Sequence, residues 1–254
     1  MPAAAGRVSN VSDAAEITFR SDVTVELVRA SAADSDVLFA ARVSTQGEQT
    51  LESASSGQDA TVRDRGLINY LMRDRHGSPF EHNSMTFYVQ APIFVFREFM
   101  RHRIASYNEE SGRYRELRPV FYVPGADRNL IQVGKPGAYD FLPGTPEQHA
   151  MVDAEVRGVC EAAYASYQRM LDAGIAREVA RTVLPVTIYS SMYVTMNARS
   201  LMNFLSLRTK REGTHFPSFP QREIEMVAEL MEQRFAELMP LTYESFNANG
   251  RVAP

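Results

Sequence analysis

Apolar positions recur along the chain at two periods, and the changes of period mark its elements. From Val23 to Val28 apolar and polar residues alternate as in a half-buried strand, and Asp34 to Arg42 then shifts to helical spacing. The twenty residues before this are small, polar and aperiodic, which predicts a flexible arm over 1–20. Ser44 to Ser56 is polar and without period, a surface loop able to cover a site. Asp59 to Arg75 reads as a helix with Val62, Leu67, Tyr70 and Leu71 on one face and Gly77 as its stop; a compact loop, His76 to His82, follows. The cleanest alternation lies at Met85 to Ala91, where Met85, Phe87, Val89 and Ala91 interleave with Thr86, Tyr88 and Gln90. Pro92 closes that strand and opens a helix to Arg101 with Ile93, Phe96, Phe99 and Met100 inward.

Glycine and proline crowd 119–146, which predicts an irregular excursion with a weak hairpin at best. Thr145-Pro146-Glu147-Gln148 has the form of a helix N-cap, and the helix it starts runs to Asp172, burying Val152, Val156, Val159, Cys160, Ala163, Tyr167 and Met170, with Gly174 as its stop. A short helical piece reaches Arg181, and Val186 to Met196 is a second strong strand. Asn197 caps a helix with Leu201, Phe204 and Leu205 inward, and a last amphipathic helix from about Pro220 presents Ile224, Val227, Met231, Phe235 and Leu238. With no linker and no repeat, the expectation is a single α+β domain over 1–254, a largely antiparallel sheet packed with helices.

Composition narrows the function classes. The 254 residues are 44% hydrophobic and 23% charged, which excludes disordered, collagenous and repeat classes. A net charge of −4 gives no bulk attraction to nucleic acid or to an anionic membrane, so any anion site is local. Neither partner is expected. The one cysteine, Cys160, lies in an apolar helical stripe with no neighbouring base and reads as a small buried hydrophobe. With no leader pattern in Met1 to Asn10, it points to a reducing, cytoplasmic setting. The most apolar stretch, Ala91 to Phe96, is far below the roughly 20 residues a membrane span needs. There is no glycine-rich dinucleotide or P-loop signature, and the histidines at 76, 82, 102, 149 and 215 lack metal-site spacing, so no metal is expected.

The chemistry concentrates in Arg97 to Arg118, where six arginines and four acids occupy twenty-two residues. Arg101, His102 and Arg103 alone would suit the negative end of a helix. Adding Ser106, Asn108, Glu109, Ser111 and Arg113 puts hydroxyl and amide donors, a carboxylate and a guanidinium fork on one short loop, a set suited to a phosphorylated polar ring. A second cluster, Asn197, Arg199, Asn203 and Arg208, interleaves with the apolar positions of the helix after Asn197; it presents amide and guanidinium groups, and by spacing alone an exposed polar face is the favoured reading. A rival reading takes Arg113 to Tyr122, with arginine and aromatics interleaved, as an RNA- or single-strand-binding surface; the overall acidity and the four acids of the Arg97 to Arg118 stretch weigh against it.

Arg101-His102-Arg103 followed after seven residues by Ser111, within RHRIASYNEESGRY, is similar to the signature of the flavin-dependent thymidylate synthases. HGSPFEH at 76–82, the arginine and V-L-P from Arg181, and NARSLMNFLSLR at 197–208 resemble that family's other motifs in the same order. The resemblance implies an enzyme that makes dTMP from dUMP with methylenetetrahydrofolate as carbon donor, FAD as hydride donor and NADPH as reductant, in a homotetramer whose subunits share sites. It implies FAD contacts from Ser78, Arg101, His102, Arg103, Glu109, Asn197, Arg199 and Asn203. It implies a dUMP pocket of Glu98, Phe99, Met100 and Arg101, of Glu109, Glu110, Ser111, Gly112 and Arg113, and of Arg181 and Arg208, with Arg208 as the catalytic group. Ser111 has no base placed to activate it and is assigned to binding. A non-catalytic flavin- or nucleotide-binding protein on the same scaffold is the alternative. The chain departs from the family in carrying Glu98 where members often have Gln, and in a longer connection after Arg208 that leaves two readings of His215, flavin contact or loop residue.

Overall fold

In the computed structural model, which describes residues 16–47 and 58–254, the molecule is built around β3 (Ser84–Pro92), the strand with the cleanest alternation. Met85, Phe87, Val89 and Ala91 are all buried. β3 pairs antiparallel with β2 (Thr24–Ser31) on one side and β8 (Tyr189–Met196) on the other, and β4 (Ser106–Glu109) pairs antiparallel with β8, giving the order β2-β3-β8-β4. The register sets Phe87 opposite Val194 and Met85 opposite Met196, so the apolar sets of both strands share one face. That face joins one core with α1 (Asp34–Gln46), α2 (Gln58–Arg73), α3 (Ile93–Phe99), α6 (Ala198–Arg208), α7 (Arg222–Leu238) and α8 (Pro240–Ala248). Each fully buried Leu, Phe or Met there contributes about 1.5–3 kcal/mol. The other face is polar and half open: Thr86 meets Thr195 at 2.9 Å, Tyr88 meets Ser191 at 2.9 Å, and Tyr193 is 49% exposed.

A smaller core lies under α4 (Pro146–Asp172), where Cys160, Tyr164 and Tyr167 pack on Leu117, Phe121, Ala180 and Ile188. The α4 cap forms as expected: Thr145 Oγ1 accepts from the Gln148 N–H at 3.3 Å, and Gln148 Oε1 accepts from the Thr145 N–H at 2.8 Å. The short α5 (Arg177–Ala180) leads into a 3₁₀ turn at Arg181–Val183.

Several expectations are corrected. The end of the predicted arm is a strand, β1 (Thr18–Arg20), parallel to β5 (Val120–Tyr122); residues 1–15 lie outside the described residues. The start of the predicted 44–56 loop is the last turn of α1, and 48–57 likewise lies outside them. In α2 the buried face is Ile68, Leu71 and Met72, whereas Val62 is 72% exposed and Tyr70 turns outward. The helix stops before Gly77: Arg75 takes the left-handed conformation (φ 65°), and the His76 N–H reaches the Leu71 carbonyl at 2.9 Å. In α3 Met100 lies past the helix and faces solvent, Val95 filling the core instead, and in α4 Val159 turns outward while Tyr164 turns in. The glycine-rich excursion holds a well-formed hairpin, β6 (Ile131–Lys135) and β7 (Ala138–Leu142), turned by Pro136-Gly137 with Gly137 at φ 84°. α8, which the sequence reading did not anticipate, follows α7.

Candidate active site

Arg208 ends α6 beside the chain that leaves α3. Its Nη1 lies 2.6 Å from Glu98 Oε2, and its Nε donates to His102 Nε2 at 3.1 Å. An imidazole nitrogen that accepts carries no proton, so His102 is neutral with its hydrogen on Nδ1. Burial, then the adjacent Arg208 charge, push His102 down from 6.5 to about 4, in keeping with that form. Burial raises the Glu98 carboxyl; Arg208 opposes the shift and Glu223 adds to it. The third guanidinium nitrogen, Nη2, has no partner among the described residues.

Aromatic packing holds this group in place. The Phe99 ring stacks on Phe204 at 4.8 Å, the His102 ring meets Phe204 edge-on at 4.9 Å, and the Tyr107 hydroxyl sits 2.9 Å from the Phe99 carbonyl and 2.7 Å from that of His102. The Phe99 side chain is therefore core, and only its backbone is free to meet a ligand. Beside this group Arg101 and Arg103 are exposed, and neither has an ion pair or side-chain hydrogen bond among the described residues.

A second group lies beyond β4. The Glu110 N–H reaches the Ser191 carbonyl at 2.8 Å, the Ser111 hydroxyl accepts from the Arg113 N–H at 3.3 Å, and a Cβ at Gly112 would lie 3.3 Å from Arg181 Cδ. Arg113 pairs with Glu178 at 3.0 Å and Arg115 with Glu110 at 3.1 Å. Burial pushes the Glu109 carboxyl up, with Glu110 adding and Arg181 opposing.

The third group surrounds the start of α6. The Asn197 side chain caps the helix by accepting from the Ser200 N–H at 2.9 Å, as expected. Arg199 pairs with Glu81 at 2.5 Å, and Asn203 lies exposed one turn further on. A Cβ at Gly77 would fall 2.5 Å from Arg199 Cζ, so glycine there lets the guanidinium lie against the backbone next to Ser78, which is exposed.

No hydrogen bond or ion pair joins one group to another among the described residues. A cavity of about 490 Å³ lies between the β6–β7 hairpin and α7, lined by Arg128, Tyr139, Phe141, Lys210 and Arg222, and it includes none of the predicted site residues. His215 packs at the turn after α8, its N–H on the Gly250 carbonyl at 2.8 Å and its ring against Phe216. The RNA reading loses Phe121 and Tyr122, both buried. Glu81, Glu178 and Tyr107 were missed in the sequence, where nothing links them to the arginines or carbonyls they meet.

The fold and these groups define an α+β protein in which one guanidinium, Arg208, is charge-paired and held between helices beside exposed arginines that have no partner among the described residues. A family model described as thymidylate synthase complementing protein matches residues 26–241. The flavin-dependent thymidylate synthase of Streptomyces coelicolor is 66% identical over 244 residues, 96% of this chain and 98% of that protein, and that of Tropheryma whipplei is 58% identical over 236 residues, 93% of this chain and 97% of that protein. A crystal structure of a UMP/dUMP methylase, PolB from Streptomyces cacaoi bound with 5-Br dUMP, superposes with a TM-score of 0.88 at 57% identity, covering 94% of this chain and 100% of that one. The chain belongs to the flavin-dependent thymidylate synthase family.

Proposed function

We propose that the three groups are parts of one active site, completed between the subunits of a homotetramer, in which Arg208 activates the uracil ring of dUMP. The chain is a flavin-dependent thymidylate synthase, converting dUMP to dTMP with methylenetetrahydrofolate as the carbon donor. FAD, reduced by NADPH, supplies the hydride when bound. The donor set fits its pyrophosphate: Arg101 and Arg103 present guanidinium groups without carboxylate partners among the described residues, and Gly77 lets the Arg199 guanidinium lie against the backbone next to Ser78. Ser78, Arg101, His102, Arg103, Glu109, Asn197, Arg199 and Asn203 would hold FAD.

The nucleotide would be held by the Glu98–Arg101 stretch, the Glu109–Arg113 loop, Arg181 and Arg208. Arg113 and Arg181 suit the phosphate: Arg181 has no ion pair among the described residues, and the pair Arg113 would leave, with Glu178, is solvent-exposed and worth about 0.2–1 kcal/mol. As the ring ionises, Arg208 Nη2, the one nitrogen not already engaged by Glu98 or His102, would donate to the developing oxyanion. Neutral His102 adds no competing charge there. The observation that carries this reading is an Nη2 with no partner among the described residues on a guanidinium whose other two nitrogens are held, beside Arg101 and Arg103, which likewise have none among them. The half-open polar sheet face and the exposed Met100, Ile104 and Tyr114 support shared sites between copies. A reducing cytoplasmic setting belongs to the same reading, supported by the single, buried Cys160. Release of tritium from 5-labelled dUMP in the presence of NADPH and methylenetetrahydrofolate is the test; a flavin-loaded protein that releases none would overturn the proposal.

A further inference from the structure

We infer that Arg251–Pro254, the segment after α8, is a positioning strap for α6 that holds Arg199 at the start of the helix and, through Thr209, Arg208 at its end. The inference rests on the reading above, which assigns Arg199 to the flavin and Arg208 to dUMP. α6 spans Ala198–Arg208, about 16 Å at the helical rise of roughly 1.5 Å per residue. Four residues of extended chain reach about 13 Å, and the arginine side chain adds the remainder.

Each end of the strap makes a specific contact. Arg251 is 4% exposed, and its Nη1 lies 2.7 Å from Glu232 Oε1 on α7 and 2.5 Å from Asn247 Oδ1. Its Nη2 donates to Thr209 Oγ1 at 2.9 Å. Thr209 is fully buried, and the same hydroxyl donates at 2.7 Å to the Leu205 carbonyl in the last turn of α6. The hydroxyl thus links the strap to the helix one residue after Arg208. At the other end the Pro254 carbonyl accepts from Arg199 Nε at 2.5 Å, which leaves the guanidinium edge that pairs with Glu81 as its outward side. A Cβ at Gly77 would lie 2.8 Å from that carbonyl, so the flavin-side loop, Arg199 and the strap close on one point.

The local backbone is consistent with a segment held for a purpose. Gly250 and Arg251 are both left-handed, at φ 71° and 58°, and the Arg251 N–H closes the turn on the Phe246 carbonyl at 2.9 Å. A non-glycine residue persists in that region only where its surroundings over-determine it. The Arg251 Nε is also buried without a partner among the described residues, so the side chain is placed for its two terminal nitrogens. Arg251 is buried away from the surface and acts through Thr209.

Thr209→Val keeps the shape and removes the link. The expected result is a five- to tenfold lower kcat, with the KM for dUMP within twofold of the parent and the flavin spectrum unchanged, and Thr209→Ser restoring kcat. A bystander threonine would lower the melting temperature without splitting kcat from KM. Deleting Val252–Pro254 tests the other end, with FAD affinity expected to fall about tenfold at an unchanged far-UV circular dichroism spectrum. Parental kcat in Thr209→Val, or equal losses in the Val and Ser variants, would overturn the Arg208 arm; parental FAD affinity in the deletion would overturn the Arg199 arm. A parent protein without flavin or turnover would instead sink the functional reading beneath both.

Discussion

Two side chains far from Arg208 in sequence set its chemistry, because Glu98 and His102 each take one of its nitrogens and leave Nη2 for a ligand. Replacing Arg208 by alanine is expected to lower kcat by about 10²–10³, the cost of one pre-organised donor, while dUMP binding measured by equilibrium methods weakens far less. His102 makes a pH statement of definite sign. Its folded-state value near 4 lies below the 6.5 of the free side chain, so between these values the unfolded chain binds a proton that the folded one does not. The stability His102 contributes is complete above about pH 6.5 and is lost as pH falls toward 4; an NMR titration of the ring should show no inflection between pH 8 and 5. The arginines and His102 were legible as a motif. The pairing of Glu98 with Arg208 was not, since 110 residues separate them and only the packing of α3 against α6 through Phe99 and Phe204 brings them together.

At the scale of elements, local signals worked where a single interaction decides the outcome. The Thr145 cap is one such case, and Thr145→Ala should cost about 1 kcal/mol in a denaturant melt. Arg75 is the converse: a side chain held at φ 65° carries the steric cost of the left-handed region, so Arg75→Gly is expected to stabilise by up to about 1 kcal/mol by the same measurement. Strand alternation at Met85 to Ala91 was legible because a one-residue slip would expose the whole set. Helix faces were less so. Spacing shows that α2 is helical, but which of Val62, Ile68 and Tyr70 turns inward depends on the partners that α8 and α1 present, and α8 itself is short and mixed in polarity. Gly77 was read as a helix stop, whereas its lack of a side chain serves the approach of Arg199.

For the whole molecule, the proposal that the Arg208 and Arg113 groups meet only across subunits has a direct consequence. Arg208→Ala and Arg113→Ala, each inactive alone, should regain turnover when their subunits are exchanged, and a mixture as inactive as its components would count against shared sites. Single-domain α+β architecture was legible from the absence of linkers and the run of strands and helices, while the separation of the site into three groups was visible only once the chain had folded. The most direct test of the central claim, that these groups form one flavin and dUMP site, is the visible absorption spectrum of the purified protein before and after adding dUMP. The expected result is a yellow protein whose two flavin bands shift with the nucleotide; a colourless protein that FAD cannot reconstitute, or flavin bands indifferent to dUMP, would contradict it.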